Sequence, residues 1–293
     1  MKKIGLIDVD SKIPNLALMK LSSWHKSRGD TVSFYNKNST FDIVYASKVF
    51  SYTKDKEAPP NTIKGGSGYD LNSHISSNVE EMYPDYSLYN CTYALGFTSR
   101  GCIRSCKFCI VSKKEGKLTA VGDIYNFWNG QKEIVIMDNN IFGLPDHFQK
   151  VSSQIIKEEI LVDFNQGLDI RLLDDPFAKI LKKMKPISTW RFAFDSLNYE
   201  KAVRKGAVIL KNNGLISKSM FYVLVGFNSS IEEDMERFRI LSEYKFNTFC
   251  MVYEDGSNIK GDLKSLKILE KVRMPIGNKA KYIRLAHENM RKK

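Results

Sequence analysis

The sequence predicts an α/β protein built on parallel β-sheets, and three observations carry the prediction. Apolar runs of strand length alternate with amphipathic runs of helix length along most of the 293 residues. Such alternation is typical of parallel sheets covered by helices. Glycine, proline, serine and asparagine concentrate between residues 51 and 90, which indicates loops between two α/β units. An apolar fraction of 43% is sufficient for a buried core.

The N-terminal unit, residues 1–60, is predicted to be a small Rossmann-like domain. A helix is expected over residues 14–28, because Pro14 suits a first helical turn and Gly29 suits a helix end. Residues 61–90 are expected to form a linker or loops packed on the next unit. Three apolar runs predict strands: KIGLIDV (3–9), TVSFY (31–35) and FDIVYAS (41–47).

The second unit, residues 91–259, is predicted to be a partial (β/α)6 TIM-like barrel, because six strand–helix repeats are too few for the eight of a closed barrel. The predicted strands are YALGFTS (93–99), EIVIMD (133–138), LVDFNQG (161–167), WRFAFDS (190–196), SMFYVLVGF (219–227) and FNTFCMVYE (246–254). The predicted helices are GDIYNFWNG (122–130), PDHFQKVSSQIIKEE (145–159), DPFAKILKKMK (175–185), YEKAVRKGAVILKNNG (199–214) and SIEEDMERFRILSEYK (230–245).

The net charge of +12 is concentrated at the C-terminal end. Residues 260–293 carry eleven Lys and Arg against three acidic residues. This basic C-terminal segment predicts a nucleic-acid or other acidic partner, and a solvated lysine-rich helix explains it equally well. The sequence has neither an apolar run of membrane-spanning length nor a signal-peptide pattern. We therefore expect a cytoplasmic protein that makes no use of a membrane.

Three of the five cysteines, Cys102, Cys106 and Cys109, stand together in TSRGCIRSCKFC. They follow a predicted strand directly, which is where parallel barrels place their active sites. In a reducing compartment, clustered thiols favour metal or redox chemistry over disulfides. Three thiolates can hold three irons of a [4Fe–4S] cluster and leave the fourth iron open. A structural zinc site is the alternative, although neither Cys91, Cys250 nor any histidine stands at a finger-like spacing.

The C-x3-C-x2-C loop, with an aromatic residue before its third cysteine, resembles that of radical S-adenosylmethionine (radical SAM) enzymes. The wider pattern is similar to the subgroup with an N-terminal cobalamin-binding-like domain. It includes GGSG, PDYSLY, MDNNIF, NQGLDIR, FDS and VGF in that order. The resemblance implies that the three cysteines bind one [4Fe–4S] cluster. It also implies that reductive cleavage of S-adenosylmethionine yields a 5′-deoxyadenosyl radical that modifies a substrate. A flavodoxin- or ferredoxin-like electron donor follows from the same resemblance. The basic C-terminal segment makes a nucleic acid such as tRNA the first substrate class, and peptides or small natural products, on which many members of the family act, are the alternative.

The resemblance also assigns contacts with S-adenosylmethionine. The family has an aromatic residue that shields the cluster and a polar segment that binds the methionine amino group, commonly Gly-Gly-Glu. It also has a ribose or carboxylate contact after the fourth strand and a stretch beside adenine after the fifth. Ordinary alternatives are a packed ring, an Asx turn, a strand-end cap and a glycine turn. The matching residues are Phe108; Asp138, Asn139 and Asn140; Asp195 and Ser196; and Val225 and Gly226.

Five further polar residues are candidates for orienting the cofactor or substrate. Gln166, Asp169 and Arg171 follow the third strand of the second unit, and Arg100 and Arg104 flank the first cysteine. If that third strand continues, Asp169 and Arg171 lie on one face of it. An ordinary ion pair, or exposed loop cations without a specific role, are the alternatives.

Cobalamin is a further candidate cofactor. Gly65, Gly66 and Gly68 resemble the loop that cradles its nucleotide tail. The family's cobalamin-ligating histidine has no equivalent in DVDSKIPN (8–15), so the first domain predicts either cobalamin with a free lower face or a remnant of such a domain. Two non-catalytic hypotheses also remain: a nucleic-acid-binding protein with structural zinc, and an iron–sulfur sensor without turnover.

Overall fold

A computed structural model of the chain describes residues 1–253, and the basic C-terminal segment lies outside the described residues. The strands are β1 (Lys3–Asp8), β2 (Thr31–Phe34), β3 (Ile43–Ser47), β4 (Ile63–Gly65), β5 (Ala94–Gly96), β6 (Ser99–Arg100), β7 (Thr119–Ala120), β8 (Glu133–Ile136), β9 (Leu161–Phe164), β10 (Lys185–Pro186), β11 (Trp190–Ala193), β12 (Ser219–Val225) and β13 (Asn247–Val252). The helices are α1 (Leu16–Ser27), α2 (Ser77–Glu80), α3 (Val111–Lys114), α4 (Pro145–Lys157), α5 (Asp175–Lys183), α6 (Glu200–Asn212) and α7 (Ile231–Glu243).

The first unit contains a four-stranded parallel sheet in the order β2-β1-β3-β4. Side chains of β1 alternate between the two faces of this sheet, as strand geometry requires. Ile4 and Leu6 pack with Leu18 of α1 on one face, whereas Ile7 packs with Val44 on the other. The three predicted strands and the predicted helix are therefore confirmed, while β4 was not predicted.

The second unit contains two parallel sheets, ordered β10-β9-β8-β5 and β11-β12-β13. A parallel bridge between Leu168 and Phe192 joins the chain after β9 to β11. The strands β5, β8, β9, β11, β12 and β13 therefore neighbour one another in chain order. The expectation of a mixed α/β fold with parallel sheets is confirmed.

The main core lies between these sheets and the helices α4 to α7. Alternate strand residues such as Val162, Phe192 and Phe221 are fully buried there and pack with helix residues such as Phe148 and Leu210. Burying such apolar surface is the principal stabilising contribution to the fold. Because the strands are parallel, their carboxyl ends face one edge, and the predicted site residues follow those ends.

The helix α1 packs against both units. Its Leu18 contacts the first sheet, while Leu16 and Met19 pack against Leu95 of β5 and Val135 of β8. One short helix is thus buried on two sides. The first unit consequently packs on the first strands of the second unit.

The structure differs from the sequence prediction around the cysteines. The helix predicted over 122–130 is wrong: only a short 3₁₀ turn forms, from Ile124 to Asn126. Asp123 and Asn126 cap one another's backbone and close this turn, and such local bonds compete with a continuing helix. The antiparallel β6–β7 pair was not predicted.

None of the helices within residues 1–253 has the length and apolar character needed to cross a membrane.

Candidate metal centre and its surroundings

The cysteine loop lies between β6 and α3, just past the carboxyl end of β5. Its neck is closed by the β6–β7 pair and by a 3.4 Å hydrogen bond from the Cys102 N–H to the Gly116 carbonyl. Gly101 lies in this neck with φ +83°, and a Cβ there would lie 2.3 Å from the Lys117 carbonyl oxygen. Only glycine permits such a close approach of two backbones.

The three thiols of this loop are free and half-buried. The Arg104 N–H points at the Cys102 sulfur over 3.3 Å, and the Val111 N–H points at the Cys109 sulfur over 3.5 Å. Hydrogen bonds to cysteine sulfurs stabilise thiolates and tune the reduction potential of iron–sulfur clusters. The loop backbone therefore suits thiolate ligands.

Electrostatics at two of the thiols disfavour the thiolate form. Burial raises the pKa of the Cys106 and Cys109 thiols. At Cys106 the Arg171 guanidinium acts in the opposite direction, whereas negative charge on Cys109 and Cys102 raises the pKa further. Cys106 and Cys109 therefore hold their protons more tightly than exposed thiols do. A bound metal would replace those protons, as is general for thiolate ligands.

The described residues contain no ready-made site for a single metal ion. Within residues 1–253, no group of three or more His, Cys, Asp or Glu side chains is arranged so that it could hold one. A structural zinc site needs four ligands around one ion, whereas iron–sulfur clusters are held by cysteine thiolates.

Asp138, at the end of β8, anchors the strand that enters the cysteine loop. Its side chain is buried and accepts hydrogen bonds from the Thr98 N–H (2.7 Å), the Thr98 hydroxyl (2.6 Å) and the Ser99 hydroxyl (2.7 Å). Both carboxylate oxygens are thus used within the chain. The predicted contact with a methionine amino group would compete with these bonds.

The Thr98 hydroxyl also contacts a histidine that sequence reasoning had not assigned to the site. The Thr98 hydroxyl donates its proton to Asp138. The imidazole Nε2 of His147 must therefore donate to the Thr98 hydroxyl oxygen, over 3.0 Å. Burial lowers the pKa of His147, although the charge of Asp138 opposes this, so the ring is held neutral at neutral pH. The hydroxyl residues Thr98 and Ser99, shortly before the cysteines, were the one feature of the sequence that could have indicated this contact.

Asn139 and Asn140 reach back to the cysteine loop. The Asn139 side-chain oxygen accepts the Gly101 N–H over 3.3 Å. The Asn140 amide nitrogen donates to the Cys102 sulfur over 3.5 Å and to the Asp169 carboxylate over 3.3 Å. The Asn140 amide oxygen is buried and has no partner among the described residues. A buried acceptor without a donor is costly, so this oxygen is suited to receive an N–H group from a ligand.

Asp169 is the centre of a polar cluster after β9. Its side chain, 5% exposed, accepts from Arg171 Nε over 2.6 Å and from Arg104 Nε over 3.1 Å. Burial by itself would raise the pKa of Asp169, but the hydrogen bonds and charges of the two arginines outweigh it and lower the pKa. Since Arg104 lies between Cys102 and Cys106, this carboxylate tethers the cysteine loop to β9.

A cavity of about 300 Å³ opens beside this cluster. Phe108 and Phe227 meet edge to face there, with ring centroids 5.4 Å apart. Burial raises the pKa of Asp195 to about 6, and the charges of Arg237 and Arg171 oppose this rise. The lining includes Cys106, Phe108, Asp195, Ser196, Phe227 and Arg237.

The floor of this cavity is held by a buried ion pair. Arg237 and Asp234 of α7 are fully buried and bonded to each other, and Arg237 also donates to the Phe194 carbonyl over 2.7 Å. The Asp234 carboxylate accepts the Gly226 N–H over 3.0 Å. Gly226 has φ +80°, a conformation that glycine adopts readily. This ion pair thus fixes the segments that follow β11 and β12.

Three predicted site residues lie apart from these contacts, and a fourth, Ser196, also serves a local structural role. Val225 is fully buried in the main core, and Gln166 is exposed with no hydrogen bond to any residue between 1 and 253. Arg100 faces away from Asp169, because it pairs with Glu80 and Glu115 and stacks on the ring of Phe97. Ser196 lines the cavity, but its hydroxyl also caps the turn that follows, accepting the Asn198 N–H over 3.3 Å.

The glycines resembling a cobalamin-tail loop pack against the chain's own backbone. A Cβ on Gly66 would lie 2.5 Å from the Lys48 carbonyl oxygen, and one on Gly68 would lie 2.9 Å from the Phe50 backbone. Gly65 pairs with β3, its carbonyl accepting the Lys48 N–H over 3.1 Å. The close approach of residues 48–50 is therefore the physical reason for glycine at positions 66 and 68.

No family model matches the chain, and no curated protein matches it significantly.

Proposed function

We propose that this protein is a radical S-adenosylmethionine enzyme that holds one [4Fe–4S] cluster through Cys102, Cys106 and Cys109. The proposal includes the finer fold assignment, a small Rossmann-like domain followed by a partial (β/α)6 barrel. Six parallel strands that neighbour one another in chain order support that assignment. One observation carries the functional proposal: three thiols share one loop at the strands' carboxyl edge, and residues that follow neighbouring strands contact this loop, Asn140 at Cys102 and Asp169 at Arg104.

The residues around the thiols suit the charge and shape of this cofactor pair. The cluster and S-adenosylmethionine would supply one-electron cleavage of a sulfonium carbon–sulfur bond. The unpaired Asn140 oxygen is an acceptor for a methionine ammonium group beside Cys102. Arg104 and Arg171 offset negative charge next to the thiolates. In this proposal Asp138 acts as an anchor of the loop, because both of its oxygens are already bonded.

The cavity beside Cys106 is the proposed position of the adenosyl group. Its Phe108 and Phe227 rings offer apolar surface to a purine. Asp195 and Ser196 also line the cavity, and their oxygens are acceptors for ribose hydroxyls. A volume of about 300 Å³ lies at the lower end of the range for small-molecule sites.

Cobalamin does not fit the residues of the first unit, and the proposal does not include it. The carboxyl edge of the first sheet is occupied by the chain itself, since the Asp10 carboxylate accepts the N–H groups of Val49 and Phe50 over 2.7 and 2.9 Å. The backbone of Lys48 fills the space beside Gly66. The candidate lower ligand is also missing from DVDSKIPN.

A nucleic acid such as tRNA is the proposed substrate class, and it rests on the charge of residues 260–293 alone. Lysine and arginine side chains bind phosphates irrespective of sequence, with affinity that falls as salt rises. A cytoplasmic setting with a flavodoxin- or ferredoxin-like electron donor completes the proposal.

The decisive experiment uses the full chain purified without oxygen, with its cluster reconstituted. Dithionite and S-adenosylmethionine are added, and 5′-deoxyadenosine is measured by mass spectrometry. We expect this product from the wild type and its loss in Cys102→Ala. The matched control is Cys91→Ala, which removes a half-buried thiol that donates to the Tyr93 carbonyl outside the loop.

Other outcomes would replace the proposal with a different function. A colourless protein that retains one zinc and no iron would indicate structural zinc in a nucleic-acid-binding protein. A brown protein that holds iron but forms no 5′-deoxyadenosine, even with tRNA present, would indicate an iron–sulfur sensor. Equal product from Cys102→Ala and wild type would remove the cysteine loop from the reaction.

A further inference from the structure

The first unit contains a second cavity, of about 410 Å³, that the proposed function does not use. It lies between α1, the sheet face over β3 and β4, and the segment 73–80. On this face α1 covers β1, whereas the chain between β3 and β4 packs on the opposite face through Ala58. The result is an apolar floor left without a covering helix, and Ile63 on it remains 52% exposed.

The walls of this cavity are aromatic and aliphatic. Side chains from four parts of the chain line it: the first helix, the first sheet, the segment 73–80 and the strand end before the cysteine loop. The large apolar residues among them include Leu21, Trp24, Tyr45, Ile63, Ile75 and Phe97. A volume in the range of small-molecule sites and a mainly apolar wall suit an aromatic ring system.

The charged side chains at the cavity are unbalanced towards positive. Glu80 is held by both Lys20 and Arg100, each over 2.8 Å, and Glu115 is held by Arg100 over 3.0 Å. The ammonium of Lys114 donates to the Ser73 carbonyl and has no carboxylate partner within the described residues. Lys114 is therefore placed to bind an anionic group at the edge of the apolar floor.

We propose that this cavity binds a small aromatic acid, with its ring on the floor near Trp24 and its carboxylate at Lys114. The inference does not depend on the proposed function. The cavity touches the neck of the cysteine loop at Arg100, Lys114 and Glu115, whereas the cavity near Asp195 touches the loop at Cys106 to Phe108. A ligand here would thus contact the same loop from its other side.

Isothermal titration calorimetry on the full chain tests the proposal with 1-naphthoate and 1-naphthamide, which share a ring and differ in charge. We expect one naphthoate per chain, at least fivefold tighter binding of naphthoate than of naphthamide, and a fall of naphthoate affinity to the naphthamide level in Lys114→Gln. Ala17 lines the cavity, so Ala17→Phe should fill it and abolish binding of both compounds. The matched control is Val208→Phe, at a 46% exposed position on α6.

Four results would overturn the proposal. Absence of saturable binding up to millimolar naphthoate would exclude the site, and unchanged binding in a folded Ala17→Phe variant would place it elsewhere. Equal affinities for the acid and the amide would refute the anionic ligand class. If Ala17→Phe fails to fold, the Lys114→Gln variant decides, because it replaces one half-buried ammonium and leaves the apolar floor intact. Unchanged naphthoate affinity in Lys114→Gln would also overturn the proposal.

Discussion

Replacing Asp138 by alanine should destabilise the protein strongly. The carboxylate accepts three hydrogen bonds of 2.6–2.7 Å from Thr98 and Ser99, both of which are fully buried. Hydrogen bonds to charged groups contribute about 1.5–3 kcal/mol each, and a buried N–H left unpaired costs about 1–3 kcal/mol. The three bonds share one carboxylate and do not add fully. The Thr98 hydroxyl also keeps its bond to His147, so we expect a loss of about 3–5 kcal/mol.

Thermal unfolding followed by circular dichroism measures this loss. For a chain of this size, 1 kcal/mol corresponds to about 2–4 °C in Tm, so Asp138→Ala should lower Tm by about 10 °C. Asp138→Asn preserves the shape of the side chain and one acceptor oxygen, so its Tm should lie between those of the wild type and Asp138→Ala. The control is Asp146→Ala, which removes an exposed carboxylate from the first turn of α4 and should cost about 0.3–1 kcal/mol.

The cysteine loop provides an independent readout of the same substitution. Because Thr98 and Ser99 lead into that loop, loss of the anchor should also speed alkylation of Cys102 by iodoacetamide. A fall in Tm no larger than that of Asp146→Ala, with unchanged alkylation, would refute the view that Asp138 anchors the loop.

Three further predictions follow from the site and from the charge distribution. Burial raises the folded-state pKa of Asp195 from 3.8 to about 6, so the folded protein binds more protons than the unfolded chain between these values and stability falls as pH rises through them. Asp195→Asn should therefore raise Tm at pH 8 and leave it unchanged at pH 4, and a Tm gain equal at both pH values would contradict the assigned cause. Asp169→Ala leaves Arg104 and Arg171 without their shared carboxylate and should speed iodoacetamide labelling of Cys106, whereas Asp163→Ala, which breaks the ion pair with Arg191 away from the loop, should not. Deleting residues 279–293 should weaken tRNA binding in filter assays and flatten its dependence on salt, and unchanged binding would remove this segment from the substrate proposal.

The parallel α/β fold could be predicted because its signals are local. The strands β1, β8 and β12 contain the uninterrupted apolar runs IGLI, IVI and MFYVLV, as strands buried on both faces do. The starts of helices could also be predicted, because α4 begins at Pro145 and Ser230 forms the capping box of α7 with Glu233. The helix predicted over 122–130 does not form, because capping between Asp123 and Asn126 closes a single 3₁₀ turn.

The candidate site could be predicted only in part. Placing polar residues after successive parallel strands was sufficient to expect Asn140, Asp169 and the cysteines at one edge, and they contact each other. The sequence did not indicate which of the polar side chains would be free to bind a ligand. Asp138 is not free, because both of its oxygens accept hydrogen bonds from residues some 40 positions earlier. His147 was missed for the same reason, since its partner Thr98 is distant in sequence.

The sequence by itself determined the alternation of strands and helices, the position of the cysteine loop and the basic charge of the C-terminal end. These depend on periodicity, composition and spacing, which neighbouring residues specify. Only the tertiary structure decided that Arg104 turns to Asp169 while Arg100, four residues earlier, turns to Glu80 and Glu115. It alone decided that residues 48–50 fill the space beside Gly66. The physical reason is that hydrogen-bond partners and cavities arise from contacts between distant segments, and burial makes those contacts exclusive.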